Sequence, residues 1–273
     1  MRYQPPLVTF LKSFLAVHFI NSVAALNPPV LVFDCSVTPG ACTTMCWGAF
    51  CAGFGEALSF DKPSQQIKDA RRNKAGCGAG NRCCDESPDP EGSSCDEYSF
   101  ASSIEADHVQ QVNRCIKPSE NSSTFCHFNN RLSLRTMILQ LMIAPLPLGQ
   151  GGSLSSFIQH KLNNAQGEYS IAFANPDNDA TQYCEHTTEC LNDGNMFEGE
   201  NIAPDGHAHR TMHKRHYYIL ESNTTVLSGR ELDLLTPVKR AEKRSRVEMN
   251  LLKRSGGDQF ELVDDTIISR IIP

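Results

Sequence analysis

The chain has 273 residues, 12 of them cysteine and one tryptophan, and its 25 Lys+Arg against 31 Asp+Glu give a net charge of −6. Apolar residues make up 40% and charged ones 21%, which excludes a wholly disordered chain. The acidic balance excludes a protein that holds nucleic acid by bulk attraction alone, but not an enzyme that brings a metal to the phosphate.

The N-terminus reads as a secretory signal over residues 1–25. Arg2 and Lys12 give a positive start, and Phe14 to Ala25 is a short apolar stretch ending in small residues, with cleavage expected near Ala25. The stretch is too short to span a bilayer, so a membrane anchor is the weaker reading. A secreted, extracellular chain makes disulfides the default for its cysteines. Asn121 and Asn223 each open an N-x-Ser/Thr sequon, so both are glycosylation candidates.

Residues 29–35 alternate and are β-rich, so they predict an opening strand. Cys42 to Cys51 predicts a short helix or loop around Trp47, pinned to the core by disulfides. Residues 75–95 are Gly, Pro, Ser and Cys, a stapled loop. Residues 168–174 alternate again and predict a strand ending at Asn175-Pro176. Beyond Pro176 the character changes. Residues 26–206 hold 11 basic and 22 acidic residues, whereas residues 207–273 hold 12 basic and 9 acidic and no cysteine. We expect a domain over 26–176 followed by a mobile or weakly helical extension over 177–273. Lys-Arg pairs at 214, 239, 243 and 253 are candidate processing sites or a chance feature of a charged tail. His207, His209, His213 and His216 form either a metal-binding cluster or a His-rich patch of that tail.

The chemistry-bearing stretch begins at Cys95-Asp96-Glu97-Tyr98 and passes Ala101, Glu105 and Asp107. It reaches Asn113-Arg114-Cys115-Ile116-Lys117-Pro118-Ser119-Glu120-Asn121, and Gln150-Gly151-Gly152 follows with Ser153 to Phe157. Adjacent carboxylates followed by an acid–amide pair are oxygen ligands, which suit a hard cation such as Mg²⁺ or Mn²⁺. The plainer alternative is surface acids beside a disulfide. A basic patch of Lys68, Arg71, Arg72, Lys74 and Arg82 is either a DNA contact or a solvated helix face.

These blocks resemble the NucA/NucB family of secreted deoxyribonucleases in its cysteine-rich fungal form. Asp96-Glu97-Tyr98 with Ala101, then Glu105, then Pro118-Ser119-Glu120-Asn121, then Gln150-Gly151-Gly152 carry the resemblance, along with Asp34-Cys35, Cys42, Cys46, Cys51 and the run Gly76 to Cys83. It extends over about residues 29–176. It implies a small α+β domain of ββα-metal type and hydrolysis of DNA with Mg²⁺ or Mn²⁺. Asp96 would be the general base, with Glu97 and Glu105 completing the catalytic group. Asn121 and Glu120 would belong to the metal site, and Arg114 and Lys117 would bind substrate. The disulfide candidates are Cys35, Cys42, Cys46, Cys51, Cys77, Cys83, Cys95 and Cys115.

Three departures stand out. Ser99 replaces a proline, and Cys95 stands where bacterial members have arginine. About 26 residues, Thr124 to Gly149, separate Asn121-Ser122-Ser123 from Gln150. That segment holds the apolar run Met137 to Leu148 and Cys126. We read it as translated intron, with a genuine lid or packing helix as the alternative. The rivals to a nuclease are an inactive cysteine-rich binding protein on the same scaffold and a structural cell-wall protein.

Overall fold

A computed structural model describes residues 28–85, 92, 94–121, 150–177, 180–184, 190–204, 216–243 and 260–271. The signal segment, the Thr124–Gly149 insertion with Cys126, and His207, His209 and His213 lie outside them.

Strand β1 (Val30–Asp34) occupies the predicted opening position. Both its faces are buried, so the alternation read from the sequence does not separate a core face from a solvent face. Helix α1 (Pro39–Cys46) begins with proline at its first turn and passes into a π turn over Trp47–Cys51, where Ala52 N–H bonds the Trp47 carbonyl at 2.8 Å. Next come β2 (Ala57–Phe60), α2 (Gln65–Lys74), the short α3 (Arg82–Asp85), β3 (Ser94–Tyr98), α4 (Glu105–His108) and β4 (Val112–Ile116). Then follow α5 (Gln150–His160), β5 (Gly167–Ala174), β6 (Phe197–Glu198), β7 (Asn201–Ile202), β8 (His216–Leu220), β9 (Thr225–Ser228), β10 (Pro237–Lys243) and β11 (Phe260–Ile271).

Six strands close a barrel in the order β1, β10, β11, β8, β9, β5, with β5 returning to β1. The β1–β10 and β1–β5 pairs are parallel and the other four are antiparallel. Strand β2 extends the edge of β5 beside β9. All six barrel strands contribute to one buried cluster: Val30, Val32, Ala172, Ala174, Tyr218, Leu220, Val226, Val238 and Ile267, with Leu232 from a loop. The alternate residues of β1 and β5, Leu31, Phe33, Ile171 and Phe173, face the opposite way. They pack with Trp47, Tyr98 and Phe157 in the larger core. The period-2 alternation of the strand thus lets one wall serve two cores.

This architecture departs from the expected small ββα-metal domain with a mobile C-terminal extension. The fold is mixed α/β and disulfide-stapled, but residues of the supposed extension supply four of the six barrel strands. Lys239-Arg240, one of the dibasic pairs, lies inside β10 between β1 and β11. There Lys239 pairs with Asp264 at 2.6 Å and Arg240 with Asp265 at 3.3 Å. His216 sits in β8 against Arg270, 2.6 Å from its Nδ1.

A second sheet runs β3-β4-β6-β7, all antiparallel. Cys77–Cys95 and Cys83–Cys115 staple the Gly-rich loop onto the β3–β4 pair, and Cys35–Cys42 ties the end of β1 to α1. All eight candidate cysteines are therefore bridged. The two partners beyond Pro176 form Cys46–Cys184 and Cys51–Cys190, which span 138 and 139 residues. They fasten the far side of the chain to α1. Tyr183, next to Cys184, packs on Trp47 with ring centroids 4.8 Å apart.

Candidate active site

Strand β3 is buried along its whole length and lies at the edge of its sheet, paired on one side by β4. A cleft of about 360 Å³ opens beside it. Asp96 and Glu97 line this cleft with Asn121, with Gln150, Gly151 and Leu154 of α5, and with Lys68 and Arg72 of α2. Here the predicted pair Asp96–Glu97 and the predicted Asn121 do come together.

Asp96 is 3% exposed, and burial pushes its carboxyl well above the usual carboxylate range. The charges of Glu97 and Glu120 push the same way, while the Thr44 hydroxyl and the Glu97 backbone oppose them. Its Oδ2 atom meets no hydrogen-bond donor among the described residues. Glu97 is also raised by burial, against the charge of Arg72, whose Nε lies 3.8 Å from Glu97 Oε1, and the backbone N–H of Ala101.

Asn121 is buried, and its Nδ2 donates to the Cys95 carbonyl at 2.6 Å. That bond locks the loop after β4 against the edge of β3. Gln150 is buried at the start of α5, and its Oε1 also meets no donor among the described residues. Its backbone N–H bonds the Glu120 carbonyl at 2.7 Å. Glu120 and Gln150, which flank the long insertion, therefore meet beside the cleft.

The remaining expected site residues stand elsewhere. Glu120 turns away to the start of α1, where its Oε2 accepts from Gly40 N–H at 2.6 Å and Ala41 N–H at 3.4 Å. A carboxylate at a helix N-terminus is favoured by the helix dipole, although burial raises the Glu120 carboxyl overall. Gly40 allows this close approach, since a Cβ there would sit 2.9 Å from Glu120 Oε2. Glu105 starts α4 and accepts from Ser59 N–H at 2.9 Å, joining that helix to β2. Arg114 forms a two-pronged pair with Asp193 at 3.0 and 2.7 Å, and Lys117 is exposed on the loop after β4.

The basic patch is split by the fold. Arg71 is 3% exposed and bridges Asp61 and Asp107, each at 2.6 Å. Lys74 caps the carbonyls of Ala106, Asp107 and Val109, and Arg82 binds the Gly199 carbonyl and stacks on Phe197. Only Lys68 and Arg72 of that patch line the cleft. Their spacing of four puts both on one face of a helix, but Arg71 at i+3 has the same claim, so the sequence alone does not separate them. Thr44, by contrast, gave no sequence signal.

No curated protein and no solved structure matches the chain. Residues 45–137, which run from α1 through Asp96, Glu97 and Asn121 but stop short of α5, match the family model Deoxyribonuclease NucA/NucB, and this stretch of the chain is NucA/NucB-like.

Proposed function

We propose that the protein is a secreted deoxyribonuclease that hydrolyses DNA phosphodiesters with a divalent cation and little sequence preference. The observation that carries this reading is the buried Asp96, its Oδ2 without a donor among the described residues, lining a cleft inside the NucA/NucB-like stretch. The β3–β4 pair followed by α5 at the cleft supports a ββα-metal order for the site, set against a barrel.

The residues at the cleft fit a hard cation. Asp96 Oδ2 and Gln150 Oε1 are buried oxygen acceptors without donors among the described residues, and Asn121 lines the same cleft. No group of three or more His, Cys, Asp or Glu suited to a metal occurs among the described residues, so the ligands would be the two amides, with the carboxylates of Asp96 and Glu97 in the same cleft. Mg²⁺ commonly keeps several waters and takes few protein ligands. Asn121 and Gln150 would hold the ion, with Glu120 positioning Asn121 through α1. Bound there, such an ion neutralises phosphate charge and stabilises the leaving oxygen.

Asp96 takes the proton of the attacking water. A carboxylate with a raised pKa is the stronger base once ionised, and bases of this kind contribute about 10²–10⁴-fold. The Thr44 hydroxyl and the Glu97 backbone favour its ionised form against burial. The edge of β3 and the start of α5 orient the strand to be cut.

Five disulfides among the described residues suit an oxidising compartment. No helix among the described residues is long and apolar enough to cross a membrane. For glycosylation the two sequons differ. Asn223 is exposed at the β8–β9 turn with φ +62°, while the Asn121 amide is buried against Cys95. We expect a glycan on Asn223 and none on Asn121, as read by mass spectrometry of the secreted protein.

Nicking of supercoiled plasmid with Mg²⁺ or Mn²⁺, with and without chelator, tests the function. Chelator-sensitive nicking is expected. Its absence favours the inactive binding protein instead, and equal nicking by an Asp96→Ala variant would remove Asp96 from the mechanism.

A further inference from the structure

Lys68 and Arg72 lie on one face of α2, one turn apart, and both line the cleft that holds Asp96. Four residues of helix rise separate them by about 6 Å along the axis. The other three cations of the patch are engaged by Asp61 and Asp107, by backbone carbonyls, or by the Phe197 ring. Arg72 is held more loosely: Nη1 donates to Asp69 Oδ1 at 3.4 Å, Glu97 lies 3.8 Å from Nε, and the buried Nε itself meets no hydrogen-bond acceptor among the described residues. Lys68 makes no ion pair among the described residues. Two cations thus stand in a cleft of a net acidic chain, opposite the acids of β3.

We propose that Lys68 and Arg72 form the phosphate-binding wall of this cleft, holding two successive phosphates of one DNA strand. This rests on the nuclease reading and names the residues that grip its substrate. Arg72 lies beside Glu97 and so serves the phosphate next to Asp96, where a planar fork of donors matches the phosphate oxygens. Lys68, one turn away, neutralises the neighbouring phosphate as a point charge. Local focusing of this kind lets an acidic protein hold a polyanion that its net charge repels.

The test is DNA binding by the full chain in chelator, where no cleavage occurs, measured on a short duplex over a range of salt. Each neutralised phosphate contributes about 0.9 to the slope of log affinity against log salt. Lys68→Gln and Arg72→Gln should each lower the slope by about one and the double variant by about two, while Arg230→Gln, on the barrel, should leave it unchanged. An unchanged slope in the double variant, or no DNA binding by the wild type, overturns the proposal. Binding that follows the prediction without cleavage on adding Mg²⁺ or Mn²⁺ would sink the nuclease reading and keep the phosphate wall. Cleavage with unchanged slopes would do the reverse.

Discussion

Cys46–Cys184 and Cys51–Cys190 are the only disulfides, among the described residues, from α1 and its π turn to the chain beyond Pro176. Replacing one pair with alanines leaves the other closing nearly the same loop, so the surviving bridge limits the loss. In the chain-entropy account the lost constraint is then a loop of about a dozen residues, worth ~3 kcal/mol. Removing both pairs also opens a loop of 139 residues, worth a further ~5 kcal/mol, for ~8 kcal/mol in all. That is comparable to the entire stability of a typical domain, about 5–15 kcal/mol. Trp47 is the only tryptophan, and it is packed on Tyr183 beside Cys184, so its fluorescence reports this junction directly. Urea unfolding followed at Trp47 should show each double-alanine variant losing ~3 kcal/mol and the four-alanine variant being largely unfolded without urea. A four-alanine variant that unfolds at the same urea midpoint as either single-bridge variant would refute the claim that these bridges hold the two parts of the chain together.

Arg71→Met strands Asp61 and Asp107 and should cost about 2–3 kcal/mol by urea unfolding, at the low end for a buried bridge because both acids are partly exposed. Asp107 also sets an acid limb. The hydrogen bond from Arg71 holds its carboxyl below the usual range, against opposing burial. Its contribution is therefore complete above about pH 4, the unfolded value, and is lost as pH falls through the lower folded value. Tm measured from pH 5 downward should fall less steeply in Arg71→Met than in the wild type. Deleting Thr124–Gly149 should leave the five disulfides and the cleft intact, because Glu120 and Gln150 already touch across the insertion; peptide mapping and plasmid nicking check this. Asp96→Asn should raise stability at neutral pH by about 0.5–2 kcal/mol, since it removes a buried carboxyl whose ionised form burial disfavours, and thermal unfolding reads it.

The two long-range walls of the barrel differ in how visible they were in the sequence. Strands β1 and β5 were announced by their β-rich, alternating stretches, although both are buried on both faces. Strand β10, with the sequence PVKRAEK, did not, because its charges find partners on β11 and only pairing at a distance makes it a strand. Cysteine spacing pointed to a bridged framework but could not assign Cys184 and Cys190, since connectivity depends on the three-dimensional path. At the site, Asp96, Glu97 and Asn121 were legible as a motif. Glu105 and Glu120 were not separable from them, because whether an acid faces a cleft or caps a backbone N–H is decided by packing. The basic patch was ambiguous for the same reason. Its members are alike in sequence, and only the positions of Asp61, Asp107 and Phe197 show which cations are already engaged.

The central claim is that Asp96 is the base of a DNA-cleaving cleft. Single-turnover cleavage of duplex DNA with Mg²⁺ or Mn²⁺ tests it most directly, comparing wild type with Asp96→Asn and checking both for the same Trp47 fluorescence. The account predicts a fall of about 10²–10⁴-fold in the variant, with fold and DNA affinity retained. A folded Asp96→Asn protein that cleaves at the wild-type rate would contradict it.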